Sequence, residues 1–148
     1  MDPQSNERQS SKTGQCLCGA VSLRIHVVGN SIGACHCEMC RRWGGGPLLE
    51  VSGGTEISIE GVENVETFSS SHWAVRGFCK TCGTHLYYRA VETGEYTIPL
   101  GLLDDEEGLH FDHQVYIDEK PESYSFSNPT RMETRADMIE KYGGIMPK

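Results

Sequence analysis

The chain has 148 residues, a length typical of one domain, and its 37% hydrophobic and 23% charged residues are those of a folded protein. Its 13 Lys and Arg against 21 Asp and Glu give a net charge of -8, which argues against binding to nucleic acid through a basic surface. No apolar run approaches the roughly 20 residues of a membrane span, and the polar N-terminus lacks a signal peptide's apolar segment, so we expect a cytoplasmic protein.

The pattern along the chain predicts short strands separated by glycines. We expect residues 1–13 to form a disordered tail and residues 14–148 to form one domain. Apolar and polar residues alternate from Gly19 to Val27, as in a half-buried strand. Similar short runs follow at Leu48–Val51, Ile57–Ile59, Val65–Phe68, Leu86–Tyr88, Tyr96–Ile98 and Val115–Ile117. The fold class is therefore mainly β, and a short C-terminal helix is predicted over Arg135–Tyr142, before Gly143.

Seven cysteines lie in three clusters, and each cysteine belongs to one of them. The first pair is Cys16 and Cys18, the trio is Cys35, Cys37 and Cys40, and the last pair is Cys79 and Cys82. Thiols of a cytoplasmic protein stay reduced, and an odd number of them cannot all pair in disulfides. Zinc takes four protein ligands at a structural site and three at an open, catalytic one, and seven divides into four and three. The clusters therefore predict two zinc ions.

Spacing alone leaves open which clusters share an ion. On an extended strand a C-x-C motif directs both sulfurs to one face, and the turn of a C-x-x-C motif followed by Gly83 does the same. The trio is the simplest open site, which favours a four-ligand site made of the first and last pairs. In the alternative, Cys37 and Cys40 complete a four-ligand site with either pair. Buried core cysteines or a redox C-x-x-C motif are the competing interpretations.

The flanking residues extend these clusters into longer motifs. In chain order they are Gly14-x-Cys16-x-Cys18-Gly19-Ala20-Val21, Cys35-His36-Cys37-x-x-Cys40-Arg41-Arg42 and Gly77-Phe78-Cys79-x-x-Cys82-Gly83-Thr84-x-Leu86-Tyr87-Tyr88. This series resembles the glutathione-dependent formaldehyde-activating enzymes and their centromere-protein-V-like relatives, from about Gly14 to the His113–Pro121 region. The resemblance implies a β-tent of short antiparallel strands built around two zinc sites. It assigns a structural zinc to Cys16, Cys18, Cys79 and Cys82, and a catalytic zinc to Cys35, Cys37 and Cys40.

The activity that the resemblance implies is that of a carbon–sulfur lyase or synthase, which adds a thiol, plausibly glutathione, to formaldehyde or a related small aldehyde. Three thiolates leave a zinc ion with a net charge of -1, which weakens it as a Lewis acid toward water but lets it bind a further thiol. Arg41 and Arg42 follow the last cysteine of the trio and are candidate clamps for the carboxylates of glutathione. Either arginine could instead face solvent or pair with Glu38.

Two other functions are compatible with the sequence. The protein could be a non-catalytic interaction module with two structural zinc ions, in which His36 or another side chain closes the second site. It could also be a redox or metal-buffering protein that uses the trio as labile thiols. We expect His36 to face away from the sulfurs, and His110 and His113 to belong to a loop that enters a strand, although a helix there would make them a metal site. A homodimer is compatible with each function.

Overall fold

The computed structural model describes residues 11–143. The strands are β1 (Lys12–Gln15), β2 (Ser22–Ile25), β3 (Ser31–Cys35), β4 (Leu48–Gly54), β5 (Ile57–Glu60), β6 (Val65–Ser71), β7 (Ala74–Cys79), β8 (His85–Ala90), β9 (Tyr96–Pro99), β10 (His110–Val115) and β11 (Arg131–Glu133). The α-helices are α1 (Glu38–Gly44) and α2 (Arg135–Tyr142), and 3-10 turns lie at Val62–Asn64, Leu100–Leu102 and Ile117–Glu119. No helix in this part of the chain is long and apolar enough to cross a membrane.

The strands form a smaller and a larger sheet. The smaller sheet has the order β1-β2-β5, and the larger sheet has the order β11-β10-β3-β4-β9-β8-β7-β6. Neighbouring strands are antiparallel, except that β10 runs parallel to both β3 and β11, a departure from the antiparallel pairing expected. The predicted mainly β fold with a short C-terminal helix is confirmed.

Most of the predicted elements lie where the sequence pattern places them. Helix α2 has the predicted bounds, and Thr134 caps its first turn by accepting a hydrogen bond from the amide of Asp137. The predicted strand Val115–Ile117 is wrong beyond its first residue, because Tyr116 takes a left-handed conformation with φ 56° and ends the pairing. Helix α1 and strands β1, β3, β7 and β11 were not predicted, and β10 was predicted only at its last residue, Val115.

The assignment of residues 12 and 13 to a disordered tail is wrong, because they begin strand β1. The Lys12 ammonium is buried and donates to Asp105 Oδ1 at 2.7 Å, and the Thr13 hydroxyl donates to Asp104 Oδ2 at 2.6 Å. An acidic turn more than ninety residues away in sequence thus supplies the partners that hold this polar segment. The predicted tail residues 1–10 lie outside the described residues.

The hydrophobic core lies between the two sheets. It contains Leu23 and Ile25 of β2, Val51 of β4 and Ile98 of β9, all at most 2% exposed. Burying four such side chains stabilises the fold by about 1.5–3 kcal/mol each. Leu23 and Ile25 come from the smaller sheet, whereas alternation along β4 and β9 directs Val51 and Ile98 to one face of the larger sheet and their sequence neighbours to the other face.

The opposite face of the larger sheet carries polar and chemically reactive side chains. Residues directly opposite in neighbouring strands project from the same face. Arg76 lies opposite Tyr88, Tyr88 opposite Thr97, and Thr97 opposite Ser52. Glu50 precedes Ser52 by two positions, and Leu48, two positions earlier again, lies opposite Cys35. We call this side, which holds Cys35, Glu50, Tyr88 and Arg76, the cysteine face.

Gly77 provides a test of how closely the core is packed. A Cβ atom at this position would lie 2.4 Å from Cζ of the Tyr87 ring, which is itself 8% exposed and packs edge-to-face on Tyr96. We expect Gly77→Ala to lower the free energy of unfolding by about 1–3 kcal/mol through overpacking. The control Gly101→Ala, whose Cβ would meet no heavy atom of the described residues within 4 Å, should change it by less than about 0.5 kcal/mol. Thermal unfolding at equal metal loading compares them, and equal midpoints would contradict the packing argument.

Candidate metal centres and active site

The seven cysteines, all within the described range, form two groups in space. Cys16, Cys18, Cys79 and Cys82 form the first, in which the sulfur atoms all lie within 4.8 Å of one another. Cys35, Cys37 and Cys40 form the second under the same limit. No His, Asp or Glu of residues 11–143 joins either group. This grouping is the one favoured in the sequence analysis, where the trio is the simplest open site, and it is the one that the family resemblance implies.

Turns of the backbone position the sulfurs of the four-cysteine group. Cys16 follows β1, and Cys18 lies in a turn and not on the extended strand that its C-x-C spacing suggested. Cys79 ends β7, and the amide of Gly83, which has φ 78°, closes the next turn on the Cys79 carbonyl at 2.7 Å. The Cys16–Cys18 and Cys18–Cys79 sulfur distances are 3.7 and 3.8 Å.

These distances fit a tetrahedral zinc ion. A tetrahedron with zinc–sulfur bonds of about 2.3 Å has sulfur–sulfur edges of about 3.8 Å. Thiolate sulfur is also the donor that structural zinc sites use most. The donor set and its spacing therefore suit a closed, structural ion.

The trio is built where strand β3 runs into helix α1. Cys35 is the last residue of β3, Cys37 caps the N-terminus of α1, and Cys40 lies in its first turn. The Cys37 sulfur accepts a hydrogen bond from the Cys40 amide at 3.4 Å. Cys35 and Cys40 are each 6% exposed, whereas Cys37 is partly exposed, so the trio is open to solvent at Cys37.

The sulfurs of the trio share negative charge. Hydrogen bonds from Cys35 and Cys40 lower the pKa of Cys37 well below its usual value, and the same Cys37 interaction raises the pKa of Cys35. One thiolate held by two thiols is therefore the stable state of the sulfurs alone. A cation among them would offset the repulsion of three thiolates, so this donor set also fits a metal ion.

His36 lies between two cysteines of the trio but turns its ring away from both groups. The ring is fully buried, with Nε2 2.8 Å from Gln114 Oε1 and Nδ1 2.9 Å from the Tyr124 hydroxyl. Burial lowers the pKa of His36, so the ring is neutral. Since an amide oxygen can only accept, Nε2 donates to Gln114 and Nδ1 accepts from Tyr124. His36 thus ties the trio to β10 and to the segment around Tyr124.

The structure distinguishes the two arginines that follow the trio. Arg42 pairs with Glu38 at 2.9 Å on an exposed surface, and Arg41 donates from Nε to the His36 carbonyl at 2.8 Å. Both line a cleft of about 650 Å³ whose other wall includes Tyr124 and Phe126. Their role as carboxylate clamps remains a prediction.

The other histidines singled out in the sequence lie outside the cysteine groups. The expectation that His110 and His113 lie in a loop is wrong, because both belong to strand β10, and the helical arrangement that would make them a metal site does not form. The His113 Nδ1 atom lies 2.8 Å from Asp112 Oδ1 and 3.1 Å from the Ser31 hydroxyl, contacts that fix its ring beside Gly33.

The cysteine face carries two charged residues that were not predicted as part of the site, Arg76 and Glu50. Arg76 is 3% exposed and its guanidinium carbon lies 4.7 Å from the Trp43 ring centroid and 5.1 Å from that of Tyr88. Burial and the nearby Cys37 sulfur raise the pKa of Glu50 to about 8. Trp43 also stacks on His85, with ring centroids 4.0 Å apart. The available signal was a lone charged residue inside each of two apolar strand segments.

Comparisons with known proteins agree with this architecture. The family model described as glutathione-dependent formaldehyde-activating enzyme matches residues 11–119, a range that includes both cysteine groups. A Schizosaccharomyces pombe protein named as an uncharacterized lyase is 42% identical over 129 residues, which are 86% of this chain and 93% of that protein. The crystal structure of a Rhodobacter sphaeroides protein matches the fold with a TM-score of 0.55 at 24% identity, over 62% of this chain and 87% of its own.

The hydrogen bonds of His36 predict a large effect of its removal on stability. His36→Leu leaves the buried Gln114 oxygen without its donor, so we expect the free energy of unfolding to fall by about 1–3 kcal/mol. The control His26→Leu removes an exposed ring that lies 2.8 Å from the Ser58 hydroxyl, and should change it by less than about 0.5 kcal/mol. Denaturant titration of both zinc-loaded variants makes the comparison. Equal losses would show that the buried network does not stabilise the fold.

Proposed function

The chain belongs to the family of glutathione-dependent formaldehyde-activating enzymes, and we propose that it is a zinc-dependent carbon–sulfur lyase that joins a thiol to a small aldehyde at the trio. The family match and the lyase-named relative support the coarser conclusion, a lyase of this family's type. The observation that carries the finer proposal is the trio itself. Its three sulfurs lie within 4.8 Å of one another, and no fourth ligand from residues 11–143 completes the site. Glu38 and Arg41, which neighbour Cys37 and Cys40 in sequence, line a cleft.

The two cysteine groups take different roles in this proposal. The four-cysteine group holds a structural zinc, because all four positions of a tetrahedron are filled by sulfur. The trio holds a second zinc with one position left for substrate. When bound there, zinc would supply the charge that keeps an incoming thiol deprotonated at neutral pH.

The chain's own residues bind and orient the substrates. Glutathione carries two carboxylates, and the cleft beside the trio is lined by Arg41 and Arg42. The Arg42–Glu38 pair is exposed and therefore weak, so a substrate carboxylate can replace Glu38. Arg41, which lines the cleft, is oriented by its bond to the carbonyl of His36, the residue between Cys35 and Cys37.

The reaction needs a positioned thiol and a positioned aldehyde. The thiol sulfur forms a bond to the aldehyde carbon, the carbonyl electron pair moves to oxygen, and the proton of the thiol ends on that oxygen. With glutathione and formaldehyde the product is S-hydroxymethylglutathione. The reverse reaction breaks the same carbon–sulfur bond. Holding both partners in reactive geometry accounts for much of the rate enhancement such a site provides.

Zinc content is the first test of this proposal. We expect elemental analysis of the purified protein to give two zinc ions per chain, and Cys37→Ser to give one while the circular dichroism spectrum stays unchanged. Cys82→Ser, in the four-cysteine group, should instead lose folded structure, because structural zinc contributes directly to folding. A single ion in the wild type, or loss of both ions in Cys37→Ser, would contradict two independent centres.

Acceleration of the thiol–aldehyde exchange is the second test. Formaldehyde and glutathione combine unaided, so exchange NMR at equilibrium compares the rate with and without catalytic amounts of protein. We expect acceleration by the wild type, its loss in Cys37→Ser, and an increase of about tenfold or more in the KM for glutathione in Arg41→Ala. With 2-mercaptoethanol, a thiol without carboxylates, the wild type and Arg41→Ala should give equal rates. The matched control is Arg24→Ala, which removes an exposed arginine and should leave the KM for glutathione unchanged.

Two results would contradict the proposed function. Absence of acceleration by a protein that carries two zinc ions would favour the non-catalytic interaction module. An equal effect of Arg41→Ala on both thiols would show that Arg41 does not bind the carboxylates of glutathione.

A further inference from the structure

Arg76 is a buried cation whose hydrogen bonds are incomplete. Its side chain is 3% exposed, and its Nε donates to the Ser70 hydroxyl at 3.0 Å. Its Nη1 atom has no hydrogen-bond partner among residues 11–143, and no carboxylate in this range lies within ion-pair distance of the guanidinium. Burying such a group costs free energy, so an unpartnered donor in a native structure requires an explanation.

The position of Arg76 connects this unpartnered donor to the trio. The strand register places Arg76 on the cysteine face, in line with Tyr88 and on the same side as Glu50 and Cys35. Its guanidinium contacts Trp43, which follows Cys40 by three residues in α1.

Stacking holds the guanidinium in place without using its hydrogen-bond donors. Trp43 and Tyr88 contact it through their rings, at 4.7 and 5.1 Å from the ring centroids. Ser70 engages Nε, which leaves the buried Nη1 atom for another acceptor. A guanidinium stays protonated at all relevant pH values, so this group can stabilise negative charge but cannot transfer a proton.

We propose that Arg76 is a further catalytic residue, whose Nη1 atom donates a hydrogen bond to the aldehyde oxygen as that oxygen becomes negatively charged. This inference rests on the proposed function. As the sulfur–carbon bond forms, the carbonyl electron pair moves to the oxygen, which Arg76 stabilises until the proton released by the thiol reaches it. In the reverse direction the hydroxyl loses this proton and the electron pair of the carbon–sulfur bond returns to sulfur. A preorganised donor held at a buried position is well suited to this task.

A carboxylate carried by the aldehyde is the other acceptor that suits a guanidinium. The two cases differ in substrate dependence. A donor to the reacting oxygen acts on every aldehyde, including formaldehyde, whereas a carboxylate site acts on acidic aldehydes such as glyoxylate and leaves formaldehyde unaffected.

Substitution of Arg76 in the zinc-loaded full chain tests the proposal with the exchange assay. We expect Arg76→Met to lower kcat for formaldehyde and glutathione by about 100- to 1,000-fold, with little change in the KM for glutathione. Arg76→Lys keeps the charge but not the geometry and should give an intermediate kcat. The matched control is Arg89→Met, because Arg89 lies on the neighbouring strand with its guanidinium 5.6 Å from the Tyr96 ring centroid, and it should retain wild-type kcat.

Stability and zinc content separate a catalytic role from a structural one. Replacing a buried, incompletely paired charge by an apolar side chain of similar length is often neutral or stabilising. Arg76→Met should therefore keep two zinc ions and the wild-type unfolding midpoint while losing activity. If Arg76→Met does not fold, an intermediate kcat in a folded Arg76→Lys carries the same conclusion.

Several outcomes would overturn the inference. Wild-type kcat in folded Arg76→Met or Arg76→Lys would do so, as would a loss of activity that follows loss of zinc, or a loss confined to glyoxylate. If the wild type itself gives no acceleration, the proposed function fails first and this inference fails with it. Acceleration by the wild type together with an unaffected Arg76 variant would reject the inference alone.

Discussion

The structure depends on bringing seven cysteine sulfurs into two groups whose members lie within 4.8 Å of one another. The four-cysteine group joins the two sheets, since Cys16 and Cys18 lie between β1 and β2 whereas Cys79 and Cys82 lie at the β7–β8 turn. A metal ion bound there would cross-link segments more than sixty residues apart. Short strands bury little surface each, so such a cross-link stabilises a fold that is otherwise held by one modest core.

The two faces of the larger sheet have different roles: one packs into the hydrophobic core, and the other carries the cysteine trio and the charged residues near it. Val51 packs into the core, while its neighbour Glu50 projects from the cysteine face beside the trio. The same alternation would allow Arg76 to remain charged without disturbing the packing between the sheets. A shift of one residue in register would exchange the faces, so the antiparallel pairing of β3, β4, β9, β8 and β7 is itself a requirement of the site.

Sequence patterns between near neighbours predicted the elements whose structure depends on near neighbours. The cysteine spacings, the short strands and helix α2 follow from neighbouring residues, from alternation and from capping. Arg76 and Glu50 left only a weak local signal, a lone charge in an apolar strand segment, because strand pairing determines where they lie. The β3–β4 pairing brings Glu50 to the face that carries Cys35, and four pairings bring Arg76 there. Lys12 shows the same limit, since its polar segment is ordered by Asp105, ninety-three residues later. Helix α1 escaped prediction because it is seven residues long and ends among glycines.

His36 links the cleft to the trio. Its backbone carbonyl accepts from Arg41 in the cleft wall, and its side chain bonds to Gln114 in β10 and to Tyr124 on the facing wall. Cys35 and Cys37 flank it in sequence, so a displacement of this residue displaces both sulfurs. An anion that draws Arg41 toward the cleft acts on the same carbonyl. Under the proposed function, an anion bound by Arg41 would therefore act through this carbonyl on the residue that lies between two sulfurs of the trio. Arg42, although adjacent in sequence, would not act in this way, because it bonds to Glu38 on the exposed surface.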